Sequence, residues 1–245
     1  MTILHSIKEL VLKAGVEVNW YNPAQSDIAR LFKLFETHKI DTILDVGAND
    51  GGYGKMLRQG GYTGTILSFE PLAEAHGKLV DAAAGDTAWQ IASRMAIGAS
   101  AGEIEINVAG NSTSSSILPM QSSHESAAPQ SRYVGTEKVP LNRLDGVIHP
   151  FIEQSRKLLL KIDTQGYEMP VLEGAESLLP RVHGIQLELS LVPLYEGQVL
   201  YKAMIEWLAA RGFELWSVMP GFVDQSSGRM LQMDGVFFRS LRLEV

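Results

Sequence analysis

The chain has 245 residues, 45% of them apolar and 20% charged, and a formal net charge of −7. That length suits one α/β domain with a full core. The lack of cysteine excludes disulfides, thiolate nucleophiles and Cys-ligated zinc. An acidic chain without a basic run is a poor partner for nucleic acid, and no apolar run reaches the ~18 residues of a membrane span. Lys8 and Glu9 interrupt the first apolar residues, so no signal-peptide core is present and a cytoplasmic protein is expected.

Residues 3–14 place Ile3, Leu4, Ile7, Leu10, Val11 and Ala14 at helical spacing, with Gly15 as a stop. This helix would cover an edge of the core or make a homodimer contact. Residues 1–25 form an appendage on this reading, and 26–245 form the main domain. Ser26 or Asp27 can cap the next helix, whose buried stripe is Ile28, Leu31, Phe32, Leu34 and Phe35. Residues 42–52, T-I-L-D-V-G-A-N-D-G-G, then read as a buried strand entering a tight turn and a short helix. Residues 65–69 form a second strand, ending in Glu70-Pro71, and 72–84 a helix.

Residues 89–91 read as a third strand, extended through 94–97. The strict alternation of 103–108 reads as a half-exposed strand, and 90–97 with 103–108 is expected to form a hairpin. Residues 110–130 are Ser-rich and aperiodic, and a loop of about 20 residues inside a compact domain is either functional or disordered. The apolar run 158–162 is broken by Lys161 and ends at Asp163 and Gly166, mirroring the first strand and turn. A helix over 167–179 tolerates Pro170 only in its first turn. A strand over 184–189 contains Glu188, a helix spans 199–211, and 213–219 with 232–238 close the chain as an antiparallel hairpin. Strands alternating with helices argue for α/β architecture and a mostly parallel sheet.

In open α/β sheets ligands bind beyond the carboxyl ends of the strands. The first turn has Gly47-x-Asn49-x-Gly51, a poor match to the dinucleotide fingerprint. It also carries Asp45 and Asp50. At ~4 Å and an effective dielectric of 20, like charges repel by about 4 kcal/mol, so a phosphate is disfavoured and a cationic ligand favoured. S-adenosylmethionine, with a sulfonium, an ammonium and no phosphate, fits this charge pattern. Glu70 is then expected to accept both ribose hydroxyls.

Four motifs make the chain resemble the FkbM family of S-adenosylmethionine-dependent methyltransferases: D-V-G-A-N-D-G-G (45–52), S-F-E-P (68–71), A-G-N-S-T-S-S-S-I (109–117) and K-I-D-T-Q-G-Y-E-M-P-V-L-E-G-A (161–175). The resemblance covers roughly residues 40–240, and its last motif is the most specific. It implies a Rossmann-like class I methyltransferase fold, with a seven-stranded, mostly parallel sheet, an antiparallel last strand and helices on both faces. It also implies O-methylation of a sugar, glycan or small natural product, with the Ser-rich loop near 110–135 as a lid.

On this reading Asp45, Gly47, Asn49 and Gly51 form the methionine-end pocket, Glu70 and Pro71 the ribose site, and Arg94, Met95 and Ala96 the adenine side. Ser115, in the run 112–116, would hydrogen-bond the cofactor or the acceptor. Asp163 is the leading general base, since a carboxylate in reach can take the proton lost as an alcohol is methylated. Glu168 reads as a carboxylate favoured by the helix dipole. Glu188, a charge in an apolar strand, needs a partner: it would pair with Lys161, bind substrate hydroxyls, or help Asp163 hold a divalent metal, which no spacing demands. His124 and His183 are further candidate bases. Tyr133, Tyr195 and Trp216 would wall an acceptor pocket or pack in the core.

Overall fold

A computed structural model describes residues 10–152 and 157–239. The chain divides into two compact units, residues 1–39 and 40–245. In the first, residues 10–13 are helical, residue 14 already turns, and residues 3–9 of the expected N-terminal helix lie outside the described residues. Helix α1 (Asp27–His38) begins at Ser26, whose Oγ accepts the Ala29 N–H at 3.2 Å. It ends at Lys39, in the left-handed region at φ 53°.

The second unit runs β1 (Thr42–Val46), α2 (Gly52–Gln59), β2 (Thr65–Phe69), α3 (Ala73–Ala83), β3 (Trp89–Ile91), β4 (Ala96–Ile97), β5 (Gly102–Ala109), α4 (Ser122–Ala127), β6 (Tyr133–Asn142), α5 (Leu144–Val147), β7 (Leu158–Ile162), α6 (Glu168–Glu173), β8 (Val182–Ser190), α7 (Tyr201–Ala209), β9 (Phe213–Pro220) and β10 (Gln232–Arg239). Seven strands form one sheet in the order β3-β2-β1-β7-β8-β10-β9. All neighbours are parallel except β10, which is antiparallel to both β8 and β9. The chain moves outward from β1 to β3 and returns to β7 on the other side of β1. The strand order therefore reverses between β1 and β7, where such sheets bind ligands. Every residue of β1 and β7 is buried, which is why both read as continuous apolar runs.

Two sequence expectations are corrected here. The hairpin of 90–97 with 103–108 does not form. Instead β3 joins the edge of the large sheet, while β4, β6 and β5 make a separate three-stranded sheet with β6 in the middle. The partner of β5 lies across the Ser-rich loop, a non-local pairing that local periodicity does not encode. The expected helix over 167–179 is only α6, a short segment. It ends at Gly174, where a Cβ would come within 2.0 Å of the Gly98 carbonyl, so the chain turns against the small sheet.

One buried polar row crosses the apolar sheet. Ser68, Asp45, Lys161 and Gln186 occupy paired positions on β2, β1, β7 and β8, and all four are buried. Trp89 Nε1 donates to Ser68 Oγ at 3.0 Å, and Ser68 Oγ donates to Asp45 at 3.3 Å. Lys161 Nζ lies 3.0 Å from Asp45 and 5.1 Å from the centre of the Tyr53 ring. Tyr53 donates to Gln186 at 2.8 Å, and Gln186 donates to Asp234 at 3.3 Å. Breaking a buried ion pair on one side leaves an uncompensated charge. Lys161→Met is therefore expected to lower stability by about 3–5 kcal/mol, read as the urea midpoint; an unchanged midpoint would contradict this account of the row.

Candidate active site

A cavity of about 410 Å³ opens at the carboxyl ends of β1, β2, β7 and β8. Its walls include Gly47, Asn49, Glu70, Pro71, Met95, Ser115, Asp163 and Glu188, so most of the residues expected from the sequence come together. Phe69, Leu72, Met95, Ile97 and Ile106 give it an apolar side, while Asp163, Gln165, Glu188 and Gln232 line a polar one.

Asp45 and Gly51 are not in its walls. Asp45 is fully buried and belongs to the ion pair with Lys161. Gly51 is the N-cap of α2, at φ 83°, and packs toward Leu79, Ala82 and Trp89. Asp50 is exposed and accepts the Gly52 N–H at 3.1 Å. The acid character of the cavity thus comes from Glu70, Asp163 and Glu188, not from the two aspartates of the first turn.

The two strand-end turns fit against each other. Gly47 has φ 79°, and a Cβ there would lie 1.9 Å from the Asp163 carbonyl oxygen, so only glycine lets the turns meet. Glu70 accepts the N–H of Asn49 and of Leu72, each at 2.9 Å. Its burial nevertheless lifts its pKa from 4.5 to about 7, against the pull of those two bonds. Glu168 accepts the N–H of Gly166 at 3.0 Å and of Thr164 at 3.3 Å, closing the second turn from the start of α6. It too is raised to about 7, first by burial.

Asp163 lies 3.4 Å from Lys161 Nζ. Burial works against the lysine charge, but Asp45 and then Asp163 outweigh it and hold its pKa above the ordinary value. The expected pairing of Glu188 with Lys161 is not among the ion pairs of the described residues. Glu188 instead meets Gln165, a residue not singled out from the sequence. Gln165 Nε2 donates to Asp163 at 2.8 Å and to Glu188 at 2.7 Å, and its Oε1 accepts from the Tyr195 hydroxyl at 3.0 Å. Burial, then the neighbouring Asp163, pushes Glu188 well above the usual carboxylate range. Asp234, directly opposite Glu188 on β10, is raised by burial to about 6.

The Ser-rich segment is a built loop. Ser112 Oγ donates to Asn49 at 3.2 Å, and Ser116 Oγ donates to the Gln165 carbonyl at 2.6 Å, so the loop is fastened to both turns. Ser115 lines the cavity, but its hydroxyl donates to the Ser112 carbonyl at 2.7 Å and accepts the Ala109 N–H at 3.0 Å. Asn49, Ser112 and Gln165 all have positive φ, at 47°, 63° and 52°.

Of the other candidates, Met95 and Ala96 line the cavity and Arg94 does not, since it pairs with Glu137. His124 lines the cavity; His183 stands near the start of β8, away from the carboxyl ends. Tyr133, Tyr195 and Trp216 are not in its walls. Tyr195 is buried behind Gln165, and Trp216 packs edge-on against Phe238 on the outer hairpin. Among the described residues no group of three or more His, Asp or Glu is placed to hold a metal ion, and no helix is long and apolar enough to cross a membrane.

A seven-stranded sheet with one antiparallel strand, and a carboxylate-lined cavity where its strand order reverses, defines a Rossmann-like class I methyltransferase. The family model described as "Methyltransferase FkbM domain" matches residues 45–215. The chain belongs to that family and is an S-adenosylmethionine-dependent methyltransferase. No curated protein matches the chain. Among solved structures, the fibrillarin pre-rRNA processing protein of Methanococcus jannaschii is 13% identical, with 89% of this chain and 76% of that one covered and a TM-score of 0.50. Aeropyrum pernix fibrillarin, solved with natively bound S-adenosyl-L-methionine, is 12% identical over 80% of this chain and 66% of that one, at a TM-score of 0.45. An rRNA methylase from Streptococcus thermophilus is 12% identical over 84% and 95%, at 0.42. At such identity the fibrillarin of Methanococcus jannaschii shows a shared fold and nothing of the substrate.

The raised carboxylates set a pH dependence. Glu70 and Glu168 rise from 4.5 to about 7, and Asp234 from 3.8 to about 6. The folded protein therefore binds more protons than the unfolded chain between about pH 4 and 7, and it loses stability as pH rises through that window. The urea midpoint of ligand-free protein is expected to be higher at pH 5 than at pH 8, with Glu70→Gln flattening the slope; a midpoint that rises with pH would contradict these assignments.

Proposed function

We propose that this methyltransferase acts on a hydroxyl of a sugar, glycan or small natural product, with S-adenosylmethionine as donor. The observation that carries the reading is the pair Asp163 and Glu188, held by one Gln165 amide at the polar end of the cavity. The donor set suits the cofactor. Carboxylates favour its cationic end, Glu70 keeps lone pairs free for ribose hydroxyls, and Met95, Ile97, Ile106 and Phe69 suit a purine. Gly47 and Asn49 would flank the methionine end, with Pro71 beside Glu70. When bound, S-adenosylmethionine supplies an electrophilic methyl carbon on its sulfonium.

The protein must then orient the acceptor oxygen and receive its proton. Glu188 is the candidate proton acceptor: burial and the neighbouring Asp163 raise its affinity for a proton, and Gln165 holds its carboxylate at the cavity wall. Asp163, fixed by Lys161 and Gln165, orients the hydroxyl. The loop fastened at Ser112 and Ser116 covers the cavity and excludes water. A net charge of −7 and three carboxylates in the walls weigh against an RNA acceptor.

Calorimetry is expected to show binding of S-adenosylmethionine or its demethylated product, and binding of NAD with neither of these would overturn the reading. Glu70→Ala should weaken that binding about tenfold or more, since hydrogen bonds to charged groups are the strong ones. Glu188→Gln should cut turnover about a hundredfold or more with cofactor affinity retained. Full turnover in Glu188→Gln would remove it as the base, and insensitivity to Asp163→Asn as well would favour an amine or carboxylate acceptor, which needs no strong base.

A further inference from the structure

Gln232 and His124 line the same cavity, and each is almost wholly buried, at 4% and 3% exposure. Among the described residues neither Gln232 Nε2 nor His124 Nδ1 has a hydrogen-bond partner. Buried polar groups are normally satisfied, and an unsatisfied one is costly. Two of them in one wall therefore point to a ligand that supplies the missing bonds.

Their place in the fold separates them from the cofactor side. Gln232 starts β10 opposite Ser190, and two residues on, Asp234 stands opposite Glu188. Gln232 and Asp234 therefore face the same side of the sheet. β1, β7 and β8 lie between β10 and β2, the strand that leads to Glu70. The His124 ring is centred 5.1 Å from Phe222 and 5.2 Å from Tyr195, and Tyr195 donates to Gln165. Phe222 also lines the cavity.

We propose that Gln232 and His124, beside Phe222, form a subsite for a second oxygen of the methyl acceptor, so that the acceptor is a neutral polyol and not a simple alcohol. This rests on the hydroxyl-methylating reading given above. A hydroxyl both donates and accepts, so it can serve the Gln232 amide and either tautomer of His124. An ammonium has no lone pair for the Gln232 N–H. A carboxylate or phosphate would face Glu188 and Asp163. Burial lowers the His124 pKa and so works against a charged ring that would attract an anion. The apolar C–H face of a polyol ring can rest on Phe222.

The test uses the full chain saturated with S-adenosylhomocysteine and titrated by saturation-transfer NMR with three probes: methyl α-glucoside, cis-cyclohexane-1,2-diol and cyclohexanol. The diol or the glucoside should bind about tenfold tighter than cyclohexanol. Gln232→Met and His124→Phe should each erase most of that preference, about fivefold for one neutral hydrogen bond. Calorimetry with S-adenosylhomocysteine on every variant shows that the fold and the cofactor side are intact, and the wild-type comparison needs no variant. Equal binding of diol and monool overturns the inference, as does no binding of either polyol or a preference that survives in both variants. Failure of the wild type to bind S-adenosylhomocysteine overturns the underlying function as well, whereas cofactor binding without polyol preference removes this inference alone.

Discussion

The ammonium of Lys161, buried between Asp45 and Asp163, is the contact on which the site depends. It binds the end of β7 to the interior of β1, the two strands between which the order reverses. Asp45 has no access to solvent, and its charge is tolerable only with that cation beside it. From that pair the row runs on through Ser68 to Trp89 on one side, and through Tyr53 and Gln186 to Asp234 on the other. The same ammonium also reaches the Gly47 carbonyl at 3.4 Å, at the lip of the first turn.

From that anchor the two turns take different tasks. The first, around Gly47, Asn49 and Glu70, presents backbone and one carboxylate to the cavity. The second presents Asp163, Gln165 and, through the amide, Glu188 from the next strand. Gln165 has its amide direction fixed by the Tyr195 hydroxyl, which leaves only N–H groups facing the carboxylates. The Ser-rich loop touches both turns, so the two halves of the cavity are fastened by one segment of chain.

Much of the fold was legible because β1, β2 and β7 are buried on both faces and read as apolar runs stopped by acid and glycine. The row across them was legible in principle: Asp45, Ser68 and Lys161 each stand fourth in a five-residue strand. Read singly, Asp45 looked like a ligand group, because sequence does not say which way a carboxylate on a buried strand turns. β3 and β4 are three and two residues long and show no period, so the split between two sheets was hidden. Gln165 and Gln232 were missed for another reason. A neutral amide carries no charge or spacing signal, and its part depends wholly on what the fold brings beside it. Asp163, Glu188 and Glu70, which line the cavity, stood out because a charge ending or interrupting an apolar strand is conspicuous.

Among the described residues that are not glycine, four have positive φ. Lys39 closes a helix, and the other three, Asn49, Ser112 and Gln165, all stand in the cavity wall. Such conformations cost of order 1 kcal/mol each outside glycine. The strain is thus concentrated in the cavity wall, and the apolar sheet beneath must offset it. Selection for a more rugged protein would relieve these three positions first, with glycine as the natural replacement, and would dismantle the Asn49–Ser112 tie and the Gln165 bridge as it did so. The region of the chain with the most stability left to gain is therefore the one least able to take it.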